Sequence, residues 1–480
     1  MILNKTRYNT HWDTKKLSDL GDFSRGKSKH RPRDDKRLFE GGGYPLIQTG
    51  DVKAANLYIR QHKQEYGEFG LAQSKLWDAG TLCITIAANI AETAILSYPM
   101  CFPDSVVGFK AFPEESSELF MHYLFAYIRN SIQNSISGSI QDNINIDYLS
   151  QLDFKIPPKP YQDKIIEVLG TIDEKIEVNS QIIQESESIA KTIYDYWFTQ
   201  FDFPNAEGKP YRASGGEMVW NDQLKREIPS GWSAVRLGDI CTFRNGINYK
   251  KGCDGDFLCR IVNVRNITAT SYLMDTNDFD IICLPNSQAV RYVVGGDDII
   301  IARSGTPGAT RLIINPEDNV IFCGFIICTT PVEPMYRYFL YHYLKQLEGT
   351  NATKTGGSIL QNVSQDTLKS LLVCLPAKDT VVAFNGLLEP LIAKMDNIIH
   401  ENRELIKLRD WLLPMLMNGQ ATVVDAEEEE SGKVISYTPQ TVEVRQAARN
   451  FGDTKTDDTA DLVQAYLRRK QHDSKTQKRN

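Results

Sequence analysis

The sequence predicts two α/β (α+β) domains in pseudo-twofold tandem, separated by long helices that form an antiparallel coiled coil. Three observations predict it: an internal repeat at half the chain length, a heptad seam at the end of each repeat, and short β-rich runs before each seam. In the repeat, Trp12, Leu17, Asp19, Phe23 and Gly26 return 220 residues later as Trp232, Leu237, Asp239, Phe243 and Gly246. Farther on, SGSIQDNI (137–144) returns as GGSILQNV (356–363), and Leu149, Leu152 and Pro157 return as Leu368, Leu371 and Pro376. Self-similarity of this kind marks one architecture used twice.

The elements follow in chain order. YPLIQ (44–48) and LCITI (82–86) read as strands bounded by Gly, Pro, Asn and Asp turns, and 118–130 reads as a helix with apolar residues near every fourth position. From Ile165 the apolar or small residues Leu169, Ile172, Ile176, Asn179, Ile183, Ser186, Ala190, Ile193 and Trp197 follow at spacings of 4 and 3. That is a heptad seam of about 50 Å at ~1.5 Å per residue. The segment 201–231, with FDFPNAEGKPYRASGG, is an irregular joint. The second half repeats the order, with a strand at IIIA (299–302), a helix over 335–347, and a seam at Phe384, Leu388, Leu391, Met395, Ile398, Asn402, Leu405, Arg409, Leu412 and Leu416. Beyond Gly419 an acidic run (427–430) and a basic end (468–479) read as a mobile charged tail, with a short helix near 459–469.

The two seams bury each other most simply. In a blunt antiparallel pairing the residue numbers of partners sum to 581, so Asn179 faces Asn402. A parallel pairing would set Asn179 against Ile398 and strand both amides, at about 1–3 kcal/mol for each unsatisfied group. Asn179 and Asn402 are therefore the expected coiled-coil register layer.

Composition excludes several classes. Hydrophobic residues at 41% and charged residues at 24% of 480 are ordinary globular values, no apolar run is long enough to span a membrane, and the first residues lack a secretory core, so the expected location is cytoplasmic. The nine cysteines form no CxxC pair and read as reduced thiols, and no metal site is expected. There is no P-loop, HExxH, nucleophile elbow or dinucleotide fingerprint, and no Asn-Pro-Pro-aromatic tetrapeptide. His122 and His342 sit on helices among Tyr and Leu and read as packed residues. No catalytic residues are expected in this chain.

Net charge is −7, but charge acts locally. Residues 15–37 carry nine Lys and Arg against four Asp, whereas 161–200 carry three Lys against eight Asp and Glu. The richest loop, SRGKSKHRPR (24–33), supplies Arg25, Lys27, Ser28, Lys29, His30, Arg31 and Arg33, groups that neutralise phosphate and donate to base edges. Its counterpart FRNGINYKKG (243–252) supplies Arg244, Asn245, Asn248, Tyr249, Lys250 and Lys251. Gln73 and Lys75 in LAQSKLW, and Arg303 and Ser304 in the turn ARSGTPG, are further candidates for DNA binding, although a plain tight turn accounts equally for ARSGTPG. Polar groups recur in the same place with different identities, as two readers of different sequences require. A protein-binding coiled-coil scaffold and a self-sufficient methyltransferase or nuclease are the competing readings, the latter disfavoured by the missing motifs.

Over about residues 10–420 the sequence resembles the specificity (S) subunit of type I restriction and modification enzymes. The resemblance rests on the duplicated order of domain and long helix, SRGKSKHRPR followed by YPLIQTGDV, the joint FPNAEGKPYRASGGEMVW with EIPSGW, the turn ARSGTPG and the helix end LLPMLMNGQ. It implies target recognition domains at 1–160 and 232–378, spacer helices at 161–200 and 379–419, a joining segment at 201–231 and a tail at 420–480. It further implies a non-catalytic subunit that binds double-stranded DNA at a bipartite site, each domain reading one half through the major groove. Two modification (methyltransferase) subunits carrying S-adenosylmethionine, and restriction (translocase and nuclease) subunits using ATP and magnesium, are the implied partners. This chain itself then needs no cofactor and no membrane.

Overall fold

A computed structural model describes residues 2–137, 146–249, 255–348 and 363–423, so the SGSI and GGSI turns (except Ser137), Lys250, Lys251 and the tail beyond Val423 lie outside the described residues, while Ala421 and Val423 at the tail's start are buried in the first domain's core. The chain forms two compact units, residues 1–177 with 403–480 and residues 178–402. Each contains one globular domain and one end of each long helix.

The same element order builds both domains. In the first, Asp13–Lys16 pairs antiparallel with Asp153–Ile156, closing the domain on itself. A five-stranded sheet runs in the order Gly21–Arg25, Val106–Ala111, Leu82–Thr85, Thr93–Leu96, Tyr58–Ile59. A smaller sheet sets Tyr44–Leu46 parallel to Met100–Cys101. In the second domain Ser233–Arg236 pairs with Leu372–Leu375, and Cys241–Asn245, Ile326–Pro331, Ile299–Ala302 and Thr310–Arg311 form the equivalent sheet. There Phe257–Val262 lies parallel to Val320–Phe322. The repeated residues now have physical reasons. Leu17 and Leu237 are fully buried, Trp12 and Trp232 nearly so, and the Asp19 carboxylate caps its short helix by accepting the Lys16 N–H at 2.8 Å.

The helices expected over 118–130 and 335–347 are observed as Glu118–Ser137 and as a 3₁₀ turn, Pro334–Tyr336, followed by Arg337–Gln346. His122 and His342 occupy equivalent places on them. Each is buried and hydrogen-bonded to a hydroxyl, Thr93 Oγ1 at 3.0 Å and Tyr272 at 2.9 Å. Burial pushes both imidazoles down to about 3, so they stay neutral.

The two long helices are Lys159–Tyr194 and Lys378–Met417. At the end of the first, Asp195–Thr199 widens into a π turn that places Trp197 and Phe198, adjacent in sequence, both inside. In the unit of residues 1–177 and 403–480, Ile165, Leu169 and Ile172 share a core with Leu405, Leu412 and Leu416. Arg409 pairs there with the buried Asp173 at 2.9 Å. In the other unit Trp197 meets Phe384, with ring centroids 6.0 Å apart. Rising numbers on one helix meet falling numbers on the other, so the helices run antiparallel. Asn179 Nδ2 donates to Asn402 Oδ1 at 2.8 Å and to Glu401 Oε2 at 2.8 Å.

No helix among the described residues is long and apolar enough to cross a membrane. Among the described residues seven cysteines are free and buried. Cys283 departs from the expected reduced state, being disulfide-bonded.

Two measurements test this account. Replacing Asn179 with Leu should cost about 1–3 kcal/mol in denaturant unfolding by taking the donor from Asn402, whereas Asn402→Leu should cost less because Asn179 keeps its bond to Glu401. For the histidines, the unfolded state binds more protons than the folded one between the ordinary pKa of 6.5 and about 3. Stability is thus complete above pH 6.5 and falls with pH below it, by about 2 kcal/mol per histidine at pH 5. His122→Asn should remove its share of that slope, whatever it does to stability at pH 7.5.

Candidate nucleic-acid interface

The basic loop begins where Gly21–Arg25 leaves the sheet, Arg25 lying opposite Val107. Gly26 then passes so close to the turn after Met100–Cys101 that any Cβ there would clash with the carbonyl oxygens of Phe102 and Pro103. Its N–H donates to Val106 O at 2.9 Å. From this mount the loop is fastened by the segment 68–77. Ser74 Oγ donates to Lys27 O at 2.9 Å, and Gln73 Oε1 accepts the His30 N–H at 3.0 Å while its amide donates to Gly70 O. Gln73 is therefore a staple of the loop, with oxygen and amide both engaged. Ser28 is buried, and the His30 ring is bonded to Asp35 Oδ2 at 2.8 Å. Hydrogen bonds from Arg37 and then His30 hold the Asp35 carboxyl far below the usual range.

What remains outward is cationic. Arg25, Lys27, Lys29, Arg31 and Arg33 are exposed, and among the described residues Arg25, Lys27 and Lys29 form no ion pair. Asp104, on the neighbouring turn, holds Arg33 at 2.7 Å and Arg31 at 3.8 Å. The exposed Lys75 lies 3.5 Å above the centroid of the Trp77 ring. Phe69, which sequence reading did not single out, is 46% exposed beside His30 and Arg37.

The second domain uses the same mount with other side chains. Asn245 lies opposite Ile327 at the end of the equivalent strand pair, and Gly246 approaches the carbonyls of Cys323 and Phe322 as Gly26 does those of Phe102 and Pro103. Asn245 and Asn248 are exposed. Arg244, half-buried, is already engaged: it pairs with the buried Asp298 at 2.6 Å and donates to Val293 O at 3.0 Å. Tyr249 OH donates to Asn263 Oδ1 at 3.1 Å. Arg303 and Ser304 are half-buried on a tight turn in which Gly305 and Gly308 take φ of +78° and +85°. Arg303 also receives a bond, its carbonyl accepting the Val363 N–H at 2.9 Å.

Neither loop offers reaction chemistry. Among the described residues no group of three or more His, Cys, Asp or Glu is placed to hold a metal, and the free thiols that burial pushes up, such as Cys241 to about 12, are poor nucleophiles at neutral pH. The residues missed by sequence reading are Phe69 and Asp104. The latter is visible only once the turn facing the loop is known.

Two unlike polar loops on one repeated scaffold, joined through paired helices, define a class of two-headed recognition protein. Residues 9–188 and 229–407 both match the type I restriction modification DNA specificity domain, and the chain belongs to that family, the DNA specificity subunits of type I restriction-modification systems. It is 25% identical over 427 residues to the type I restriction enzyme MjaIX specificity subunit of Methanocaldococcus jannaschii, covering 86% of this chain and 94% of that one. It is 26% identical over 344 residues to the HindI specificity subunit of Haemophilus influenzae, covering 60% and 73%. The crystal structure of the type I restriction-modification S subunit from M. genitalium shares the fold, with a TM-score of 0.50 at 17% identity over 87% of this chain and 99% of that one. DNA recognition is the role that membership carries.

The loop mounts are testable. Gly26→Ala and Gly246→Ala should each lower unfolding stability by about 1–3 kcal/mol through overpacking against backbone. Gly50→Ala, in a helix with open space around it, should be neutral or mildly stabilising.

Proposed function

We propose that each domain reads one half of an asymmetric, bipartite double-stranded DNA site through the major groove, and that the antiparallel helices fix the gap between the halves. The observation that carries this reading is the pair of loops on identical backbone mounts, one rich in unpaired cations and the other in exposed amides. Cations without carboxylate partners supply phosphate affinity, and Arg, Lys and Asn side chains supply donors to guanine and adenine edges. In the first domain Arg25, Lys27 and Lys29 take the phosphates, while Arg33, oriented by Asp104, is the better placed to address bases. In the second, Asn245 and Asn248 take the base-reading role, and Arg244 supports the strand.

The chain supplies recognition and no reacting group. Modification subunits carrying S-adenosylmethionine dock on it in two copies, and restriction subunits using ATP and magnesium complete the assembly. The first helix, with its excess of carboxylates, is unfavourable beside DNA, so the helices are the surface for protein partners.

Replacing Arg25, Lys27 and Lys29 together with Ala should weaken binding to every duplex and flatten the dependence of log K on log salt by about 3 units, at ~0.9 for each phosphate no longer neutralised. Equilibrium binding by the assembled complex at four or five salt concentrations checks this. An unchanged slope removes these residues from the DNA.

A further inference from the structure

The turn that faces each loop mount is the same piece of backbone in both domains. In the first, Val106 N–H donates to Pro103 O at 3.0 Å, Ile86 N–H to Ser105 O at 3.0 Å, and Gly26 N–H to Val106 O at 2.9 Å. In the second, Ile326 N–H donates to Cys323 O at 3.0 Å, Arg303 N–H to Phe325 O at 2.8 Å, and Gly246 N–H to Ile326 O at 3.2 Å. Position for position, Ser105 corresponds to Phe325 and Asp104 to Gly324.

The side chains differ in a telling way. Ser105 is half-buried and polar, so this backbone closes without an aromatic ring. Phe325 is 62% exposed. Its peptide is pinned on both sides, since Arg303 also donates from Nη1 to Gly324 O at 3.3 Å and Gly324 N–H bonds Ile247 O at 2.7 Å. The neighbouring Gly324 lets the Asn248 amide come close enough that any Cβ would strike it. The backbone at Phe325 is thus fixed, while its phenyl ring stands largely in water and belongs to none of the apolar clusters of the domain. In the major groove, the one apolar feature of a base edge is the C5-methyl of thymine, and Phe is among the residues that contact it.

We infer that Phe325 is a specificity-determining residue of the second domain, reading a thymine methyl in the half-site that domain contacts. This rests on the reading of the domain as a major-groove reader. Asn248 beside it then addresses the adjoining base, and the equivalent turn of the first domain works differently, through Asp104 orienting Arg33.

The test uses the full chain assembled with its modification subunits. The site is first defined by mapping modified adenines, and each thymine of the bound duplex is then replaced singly by uracil, which lacks only the C5-methyl. In the native chain one uracil, in one half-site, should weaken binding roughly 3- to 10-fold, the worth of one well-packed methyl group. Phe325→Ser should bind the thymine duplex weaker by a similar factor and become indifferent to that uracil, with the other half-site read as before. Because serine is the residue this turn carries in the first domain, its unfolding transition should stay in place. Additive effects of the variant and every uracil, or a variant with unchanged recognition, or one that only impairs assembly with the modification subunits, would each overturn the inference. Failure of the native complex to modify any discrete sequence would instead sink the DNA-reading proposal itself.

Discussion

The antiparallel burial of the two heptad seams is the interaction on which the rest depends, because neither domain closes its core without it. The sheet residues Leu82, Ile84 and Phe109 belong to one apolar cluster with Ile165 and Leu169 of the first long helix and Leu412 and Leu416 of the second. In the other unit Ile299, Ile301 and Ile327 share a cluster with Ala190 and Tyr194 of the first helix and Phe384 and Leu388 of the second. Each domain therefore uses both helices as its floor. A helix pair built this way is fastened to the loops by continuous packing, and interiors at crystal-like density have little slack in which a displacement could be absorbed. Any change of register at the seam moves the sheets from which the loops spring.

Register is set by the polar exceptions within the seam. The Asn179–Asn402 pair satisfies an amide on each helix only at one alignment. Six residues away on the first helix, the buried Asp173 receives Arg409 at 2.9 Å on one oxygen and Tyr123 OH at 2.6 Å on the other. Burial, with Asp173 beside it, pushes the Tyr123 phenol far up, so it remains a donor. A buried ion pair adds little net stability, but removing one partner leaves an uncompensated charge, typically at ~3–5 kcal/mol. The duplicated counterparts of Asp173 and Arg409 are Ile392 and Ala190, both buried and apolar. Polar locking in one unit and aromatic packing around Tyr194, Phe198 and Phe384 in the other give two ends of an otherwise repeated pairing different chemistry. Such a difference opposes the pairing of either helix with a second copy of itself.

The fold was legible in the sequence wherever the signal was periodic or duplicated. Spacings of 4 and 3 identified both helices and the Asn layer because burial on a helix repeats with the heptad. The offset of 220 identified the common scaffold. What stayed hidden was every feature set by contacts distant in sequence. Arg244, one of the cations of its loop, is held by Asp298, 54 positions away. Gln73 looked like a reader and staples a loop 43 positions earlier. A loop's composition states which groups are present; which way they point is fixed by the neighbouring turn, whose sequence carries no local sign of the role.

Divergence between the two halves follows from that division of labour. Gly26 and Gly246 cannot change without moving a strand end, and Leu17 and Leu237 cannot change without opening a core, so the repeat is strongest there. Side chains that project from the mounted loops and the facing turns bear no such duty. The turns that carry Ser105 and Phe325 share three backbone hydrogen bonds, while the two side chains have nothing in common. A scaffold that fixes the backbone through glycine contacts and main-chain bonding leaves outward side chains free to differ, and that freedom is what permits one fold, used twice in a single chain, to present two different polar surfaces.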